Sequence, residues 1–309
     1  MAATTQPVPA PVEDTQAKVK RSPAHFDRNP AKAGWFTKIT LAVICVLWMI
    51  PLLGTFLTSF RSLDDVQSSG WWTLFTKPSS IARLTLSNYD KAITGGADMG
   101  RDFFNSLAIA LPATFIPILI AAFAAYAFTF MEFWGRDVLF LTIVSMLVVP
   151  NYVAFVPILK LYRTLGMNGT FAAVWLAHIG FGMSLAIYIL RNYMATLPKT
   201  VIESAKIDGA SHYQTFFKLV LPMSVPALAS FAIFQFLWVW NDLLVALVFI
   251  GPGDNEPVTV GLTHLKTQLG QGWELTTAGG FVTMILPLVV FLALQRFFVR
   301  GLTAGAVKG

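Results

Sequence analysis

The chain has 309 residues, 55% of them hydrophobic and only 12% charged, about half the charge of an ordinary soluble domain. Water is therefore not its main solvent, and uncharged runs near the ~20 residues that cross a bilayer recur along it. The net charge of +6 comes from basic residues that flank these runs instead of forming one patch, which argues against a nucleic-acid partner.

In chain order, the first 33 residues are rich in Pro, Ala and polar types without an apolar run. They are expected to be a disordered cytoplasmic tail and not a cleaved signal. Residues 34–309 then form a transmembrane domain with spans expected at 36–60, 103–131, 138–160, 167–190, 219–250 and 275–297. The fold class is all-α: a polytopic membrane protein of six transmembrane helices with one helical cytoplasmic loop, 192–222. The single cysteine, Cys45, falls in the first span and excludes an intrachain disulfide.

Between the first two spans lies a segment carrying Trp71, Trp72, Pro78 and Gly95-Gly96, read as a small packed excursion on the outer side. In the second span Ala121 and Ala125 share a face that permits close helix contact. The short turn from Glu132 to Asp137 makes spans two and three antiparallel neighbours. Prolines at 51, 112, 117, 150, 157, 226 and 287 fall within spans; each removes a backbone donor and tends to kink its helix, though membrane helices also tolerate them. His178, inside the fourth span, reads as a packed, hydrogen-bonded residue and not a proton carrier. With the amino terminus inside, 14 of the 22 Lys and Arg lie on the cytoplasmic side, which puts both termini there.

The segment between spans four and five reads Thr196-Leu-Pro-Lys-Thr-Val-Ile-Glu203-Ser-Ala-Lys-Ile-Asp208-Gly209-Ala210-Ser211-His-Tyr-Gln214-Thr-Phe-Phe-Lys-Leu-Val-Leu-Pro222. Thr196 can cap a first short helix, Pro198 suits its opening turn, and Glu203 lies in its first half, where the helix dipole favours a carboxylate. Gly209 ends that helix, because the residue just past a helix end often needs a positive φ. Ser211 and Gln214 match a capping box for a second helix continuous with the fifth span. A stiff knob joined to a membrane helix with little slack is what a transmission element requires, and an interfacial amphipathic helix is the plainer alternative.

Glu203-Ser-Ala-Lys-Ile-Asp208-Gly209-Ala210, followed by Leu221-Pro222, resembles the Glu-Ala-Ala loop of binding-protein-dependent ABC importer permeases. The closer resemblance is to the maltose-type carbohydrate permeases, specifically the smaller of the two permease partners. It includes Ala125-Tyr126-Ala127-Phe128 and the tail from Gln295-Arg296-Phe297-Phe298 to Gly309, and departs at Ser204, where the family usually has alanine. The resemblance implies a multi-pass protein of the bacterial cytoplasmic (inner) membrane that moves a sugar by alternating access. An α-glucoside such as maltose, a maltooligosaccharide or trehalose fits it.

Its implied partners are a second permease subunit in a heterodimer, two ATPase subunits, an extracytoplasmic sugar-binding protein and the membrane lipid. Glu203, Ser204, Ala205, Asp208, Gly209 and Ala210 would fit a cleft on the ATPase, and Thr303, Ala304, Gly305 and Lys308 would reach between the two ATPases. In the outer loop, Thr267, Gln268, Leu269, Gly270 and Gln271 would face the binding protein's sugar site.

No Gly-x-x-x-x-Gly-Lys-Ser/Thr loop occurs, so the chain is expected to hold no cofactor of its own, with ATP and Mg²⁺ on the partner ATPase. The four histidines, His25, His178, His212 and His264, lack ligand spacing, and no metal site or catalytic residue is expected. Asp242 sits either at membrane depth, where an ionisable group is by default functional, or at the wet outer interface. Beside it, Trp238, Trp240 and Asn241 suit a sugar path, since sugars offer C–H faces and hydroxyls, and equally suit an interfacial aromatic belt. Asp242 and His178 are also what an ion-coupled secondary transporter, the rival class, would use.

Overall fold

The computed structural model describes residues 34–95, 98–265 and 272–304, with the side chains of 296–304 excepted. Among these every element is helical; the expected tail, 1–33, lies outside the described residues. The chain divides into two compact units, Met1–Ile50 and Pro51–Gly309. The described part of the first opens the helix α1 (Trp35–Thr58), whose large apolar side chains from Trp35 to Ile50 are exposed.

The second unit begins with a small packed excursion: α2 (Leu63–Ser68), α3 (Thr73–Thr76), a 3₁₀ turn (Pro78–Arg83) and α4 (Ser87–Thr94). Buried Arg61 holds it, donating to Asp65 O at 2.6 Å and to Ser69 O and Oγ at 2.9 and 2.7 Å. Burial lowers the Arg61 pKa from its ordinary value, with neighbouring Asp65 working the other way. Asn88 Nδ2 closes the excursion by donating to Ser59 O and Arg61 O.

The bundle is organised on α5 (Met99–Phe130), which at 1.5 Å per residue is about 48 Å long. The next span is broken. α6 (Arg136–Ser145) and α7 (Phe155–Thr164) flank two 3₁₀ turns, Met146–Val148 and Asn151–Ala154, and the two halves meet at 95°. The break falls at Val149 and Pro150, both extended, because a proline disfavours helical geometry in the residue before it.

α8 (Phe171–Met194) packs most extensively on α5. Alanines on both helices, among them Ala110, Ala113, Ala121, Ala125, Ala173, Ala177 and Ala186, are fully or nearly fully buried and allow the backbones to approach. α9 (Lys199–Ile207), α10 (His212–Thr215), a π turn (Phe216–Val220) and α11 (Leu221–Met223) lead into α12 (Val225–Asn241). From α12, buried Gln235 Nε2 donates to Ala113 O of α5 at 3.1 Å and to His178 O of α8 at 3.5 Å, tying three helices where an unpaired amide would be costly.

α13 (Leu244–Phe249), α14 (Val258–His264) and α15 (Trp273–Ala304) complete the chain. Among the described residues four helices are long and apolar enough to cross a membrane, or up to six spans if each bent pair is one. Two stretches expected as single spans are bent, 138–160 and 219–250, the first at Val149 and Pro150. The stretch expected as one span over 219–250 turns by 70° between His212–Met223 and Val225–Asn241 and stops at Asn241, with α13 separate. Pro222 and Pro226, which have no N–H to donate, lie on either side of that turn.

Candidate functional site: a braced loop and an open cavity

At the carboxyl end of α5, the 199–223 segment forms a stiff corner. Gly209 has φ +79°, and the Gly209 and Ala210 amides return to Lys206 O and Ala205 O at 3.1 and 2.9 Å, the bonding that ends a helix on a left-handed residue. The capping box forms: Ser211 Oγ accepts from Gln214 N at 3.3 Å, and Gln214 Oε1 accepts from Ser211 N at 2.9 Å. Thr196, however, caps nothing. Its hydroxyl donates back to Tyr193 O, and α9 starts one residue after Pro198, which occupies the cap position without a side-chain bond.

One side of this corner is fixed to the bundle. Ile202 and Phe216 are buried, Phe216 stacks on Phe123 at 4.6 Å, and Tyr126 Oη lies 3.0 Å from His212 Nδ1. The other side is bare, with Ile207 86% and Tyr213 71% exposed. Of the predicted coupling residues, Glu203, Ser204, Asp208 and Gly209 are exposed and Ala205 and Ala210 half-buried. Glu203 also lines a groove of about 310 Å³ with Arg191, Lys199 and Lys206.

At the amino end of α5, polar side chains grip the backbone that leads into α14. Asn105 Nδ2 donates to Asp254 O and Glu256 O at 2.8 and 3.0 Å, and Ser106 Oγ accepts from Val258 N at 2.8 Å. Glu256 Oε2 accepts from Gly253 N and lies 3.1 Å from His264 Nε2. Asp102 is wholly buried against Gly261. Its carboxylate makes no hydrogen bond among the described residues and is approached by Arg101 Nε at 3.6 Å. Sequence reading missed this grip, since nothing local marks Asp102 or Gly261. The predicted residues Thr267, Gln268, Leu269, Gly270 and Gln271 lie outside the described residues, as do Gly305 and Lys308; Thr303 and Ala304 end α15.

The structure divides the four residues read as a sugar path: Trp240 and Asp242 share a small pocket with Ser106 and His178, and Trp238 and Asn241 do not line it. Trp240 is buried, donates its indole N–H to Thr283 O at 3.1 Å and packs on Phe103 and Phe236. Asn241 donates back to Leu237 O of its own helix, and Asp242 Oδ1 accepts from Val245 N, capping the start of α13. Trp238 alone of the four lines a cavity of about 560 Å³, formed where the α6–α7 break faces α8.

Such a bundle of broken and unbroken apolar helices, with a braced knob at one end, has the make-up of a polytopic membrane protein. A family model described as "Binding-protein-dependent transport system inner membrane component" matches residues 97–304, and the chain belongs to that family. It is 53% identical to the osmoprotective compounds uptake permease protein GgtD of Synechocystis, over 87% of this chain and 91% of that protein. It is 51% identical to the alpha-glucoside transport system permease protein AglG of Rhizobium meliloti, over 81% of this chain and 68% of that protein. In fold it matches a chain of a bacterial ABC transporter involved in alginate import, at a TM-score of 0.69 and 19% identity, over 85% of this chain and 95% of that one.

Proposed function

We propose that this chain is one of the two permease subunits of an ATP-driven importer for an α-glucoside, such as maltose, a maltooligosaccharide or trehalose. As a family member it is a multi-pass permease component of the inner membrane and not an enzyme. In this reading two separate ATPase subunits bind ATP and Mg²⁺, a second permease completes a heterodimer, and an extracytoplasmic binding protein delivers the sugar. Both termini and the 199–223 corner face the cytoplasm, and the 267–271 loop faces the binding protein. The α-glucoside reading is supported by the similarity to AglG.

The observation that carries the mechanism is the corner at Gly209, fixed to the bundle through Phe216, His212 and Ile202 while Ile207 and Tyr213 stand bare. Large apolar side chains left exposed on a rigid projection mark a surface that a partner covers. ATP-driven closure of the ATPases would push this knob, and its bracing would pass the displacement to α5 and α12 as a rigid-body movement. Family membership favours this reading over the ion-coupled alternative, and Asp242 Oδ1 is engaged in capping α13.

Single cysteines at Ser204 or Ala210, in a chain whose Cys45 is replaced, should crosslink to an ATPase subunit in native membranes. If neither position ever captures one, the corner is not the coupling element.

A further inference from the structure

We propose that the cavity at the broken span is a carbohydrate subsite built by this chain, with Trp238 as the platform for a sugar ring and Asn151 and Ser184 as partners for its hydroxyls. The inference rests on the sugar-import reading and adds to it the place of contact within this subunit.

The helical hydrogen-bond pattern is interrupted between Met146 and Asn151, where Val149 and Pro150 are extended. Hydrocarbon cannot solvate backbone groups released in this way, so a break at membrane depth persists only where it is buried in protein or lines a wet cavity. Here it forms one wall of the 560 Å³ space, with Gly180, Phe181 and Ser184 of α8 and Trp238 of α12 as the others. That volume lies in the range of small-molecule sites, about 300–1,000 Å³, and the mostly apolar lining with a few polar groups matches their usual make-up.

Two features favour a sugar over a lipid tail. The side chains of Asn151 and Ser184 line the cavity and make no hydrogen bond to another described residue, so an acyl chain would leave both unpaired. Trp238 is 37% exposed, its ring held edge-to-face by His178 at 5.7 Å. A fixed, half-open indole suits the C–H face of a pyranose, and the neighbouring amide and hydroxyl can donate to and accept from its hydroxyls. The site is also open to a clean steric test. Gly180 lines the cavity and a Cβ added there meets nothing within 4 Å, so a larger side chain starts from open space, and replacing a helical glycine favours the helix.

The complete transporter, with its partner permease, ATPases and binding protein, would be reconstituted in vesicles and supplied with labelled maltose or trehalose. Gly180→Leu and Trp238→Ala should each reduce sugar moved per ATP at least tenfold, and Trp238→Tyr, which keeps an aromatic face, should restore most of it. In the Cys45-replaced chain, Ser184→Cys should react with a charged, water-borne methanethiosulfonate, and saturating maltose should slow that reaction several-fold. Wild-type uptake by Gly180→Leu, or a Ser184→Cys thiol that never reacts because lipid or the partner permease fills the space, would overturn the subsite. Absence of sugar uptake by the wild-type complex would instead sink the sugar-import reading itself.

Discussion

The two ends of α5 hold their neighbours by different means. At the carboxyl end, the 199–223 corner is seated mainly by rings and apolar side chains, with Phe123 on Phe216 and buried Ile202, beside polar contacts from Tyr126 to His212 and from Tyr193 to Met223 O. At the amino end, Asn105 and Ser106 bind backbone groups of residues 254–258 directly, and Asp102 is enclosed against Gly261. Ring packing tolerates small sliding, whereas side-chain bonds to buried backbone fix register and are costly to break. The difference teaches how each end follows α5: the corner, seated by packing, can yield slightly while still pushing on the helix, whereas the 254–264 segment is locked to α5 and must travel with it.

The largest effect is expected at the locked end. A Cβ at Gly261 would overlap the Asp102 carboxylate and sit against its carbon at 3.0 Å, in a place with no exit for the carboxylate. Gly261→Ala should destabilise the complex by about 1–3 kcal/mol through overpacking, read as a lower unfolding temperature in detergent. Adding Asp102→Ser should recover part of that loss, because residues in contact are not independent. If the two losses simply add, Asp102 is not seated on Gly261 and the lock is misplaced.

A smaller cost in stability but a larger one in function is expected at the corner. With φ at +79°, Gly209→Val puts a branched side chain in a conformation that disfavours L residues by roughly 1–2 kcal/mol. Membrane levels should stay near wild type while sugar uptake falls at least tenfold. Gly209→Asn, which tolerates that conformation better, should fall in between. Normal uptake together with normal ATPase stimulation in Gly209→Val would remove the corner from the transmission path.

The sequence signals that survived into the structure are those with local causes. The Gly209 corner, the Ser211–Gln214 box and the Ala121–Ala125 face each depend on residues within a few positions of one another. What could not be read required tertiary partners. Seven prolines marked possible kinks, but only the packing shows that Pro150 accompanies a 95° break and that Pro112 and Pro117 lie within an unbroken α5. Trp238 and Trp240 are alike in sequence; one lines the cavity and the other is committed to Thr283 O, a partner on a distant helix. Asp102 gave no signal because its seat, Gly261, lies on another helix far along the chain.

The mildest test separates the two ends most finely. Tyr126→Phe removes only the hydroxyl that meets His212 Nδ1 and leaves the ring against Phe216. A single hydrogen bond contributes about 1 kcal/mol, a factor of roughly five in a local opening equilibrium. Amide exchange in the 211–220 segment should accelerate by about that factor, while the 254–264 segment, held by Asn105 and Ser106, should not change. Equal acceleration at both ends would mean that α5 transmits local loosening along its length, and the contrast between a sliding seat and a locked one would fail. Acceleration confined to 211–220 would place the compliance of the bundle at the corner proposed to dock on the ATPase.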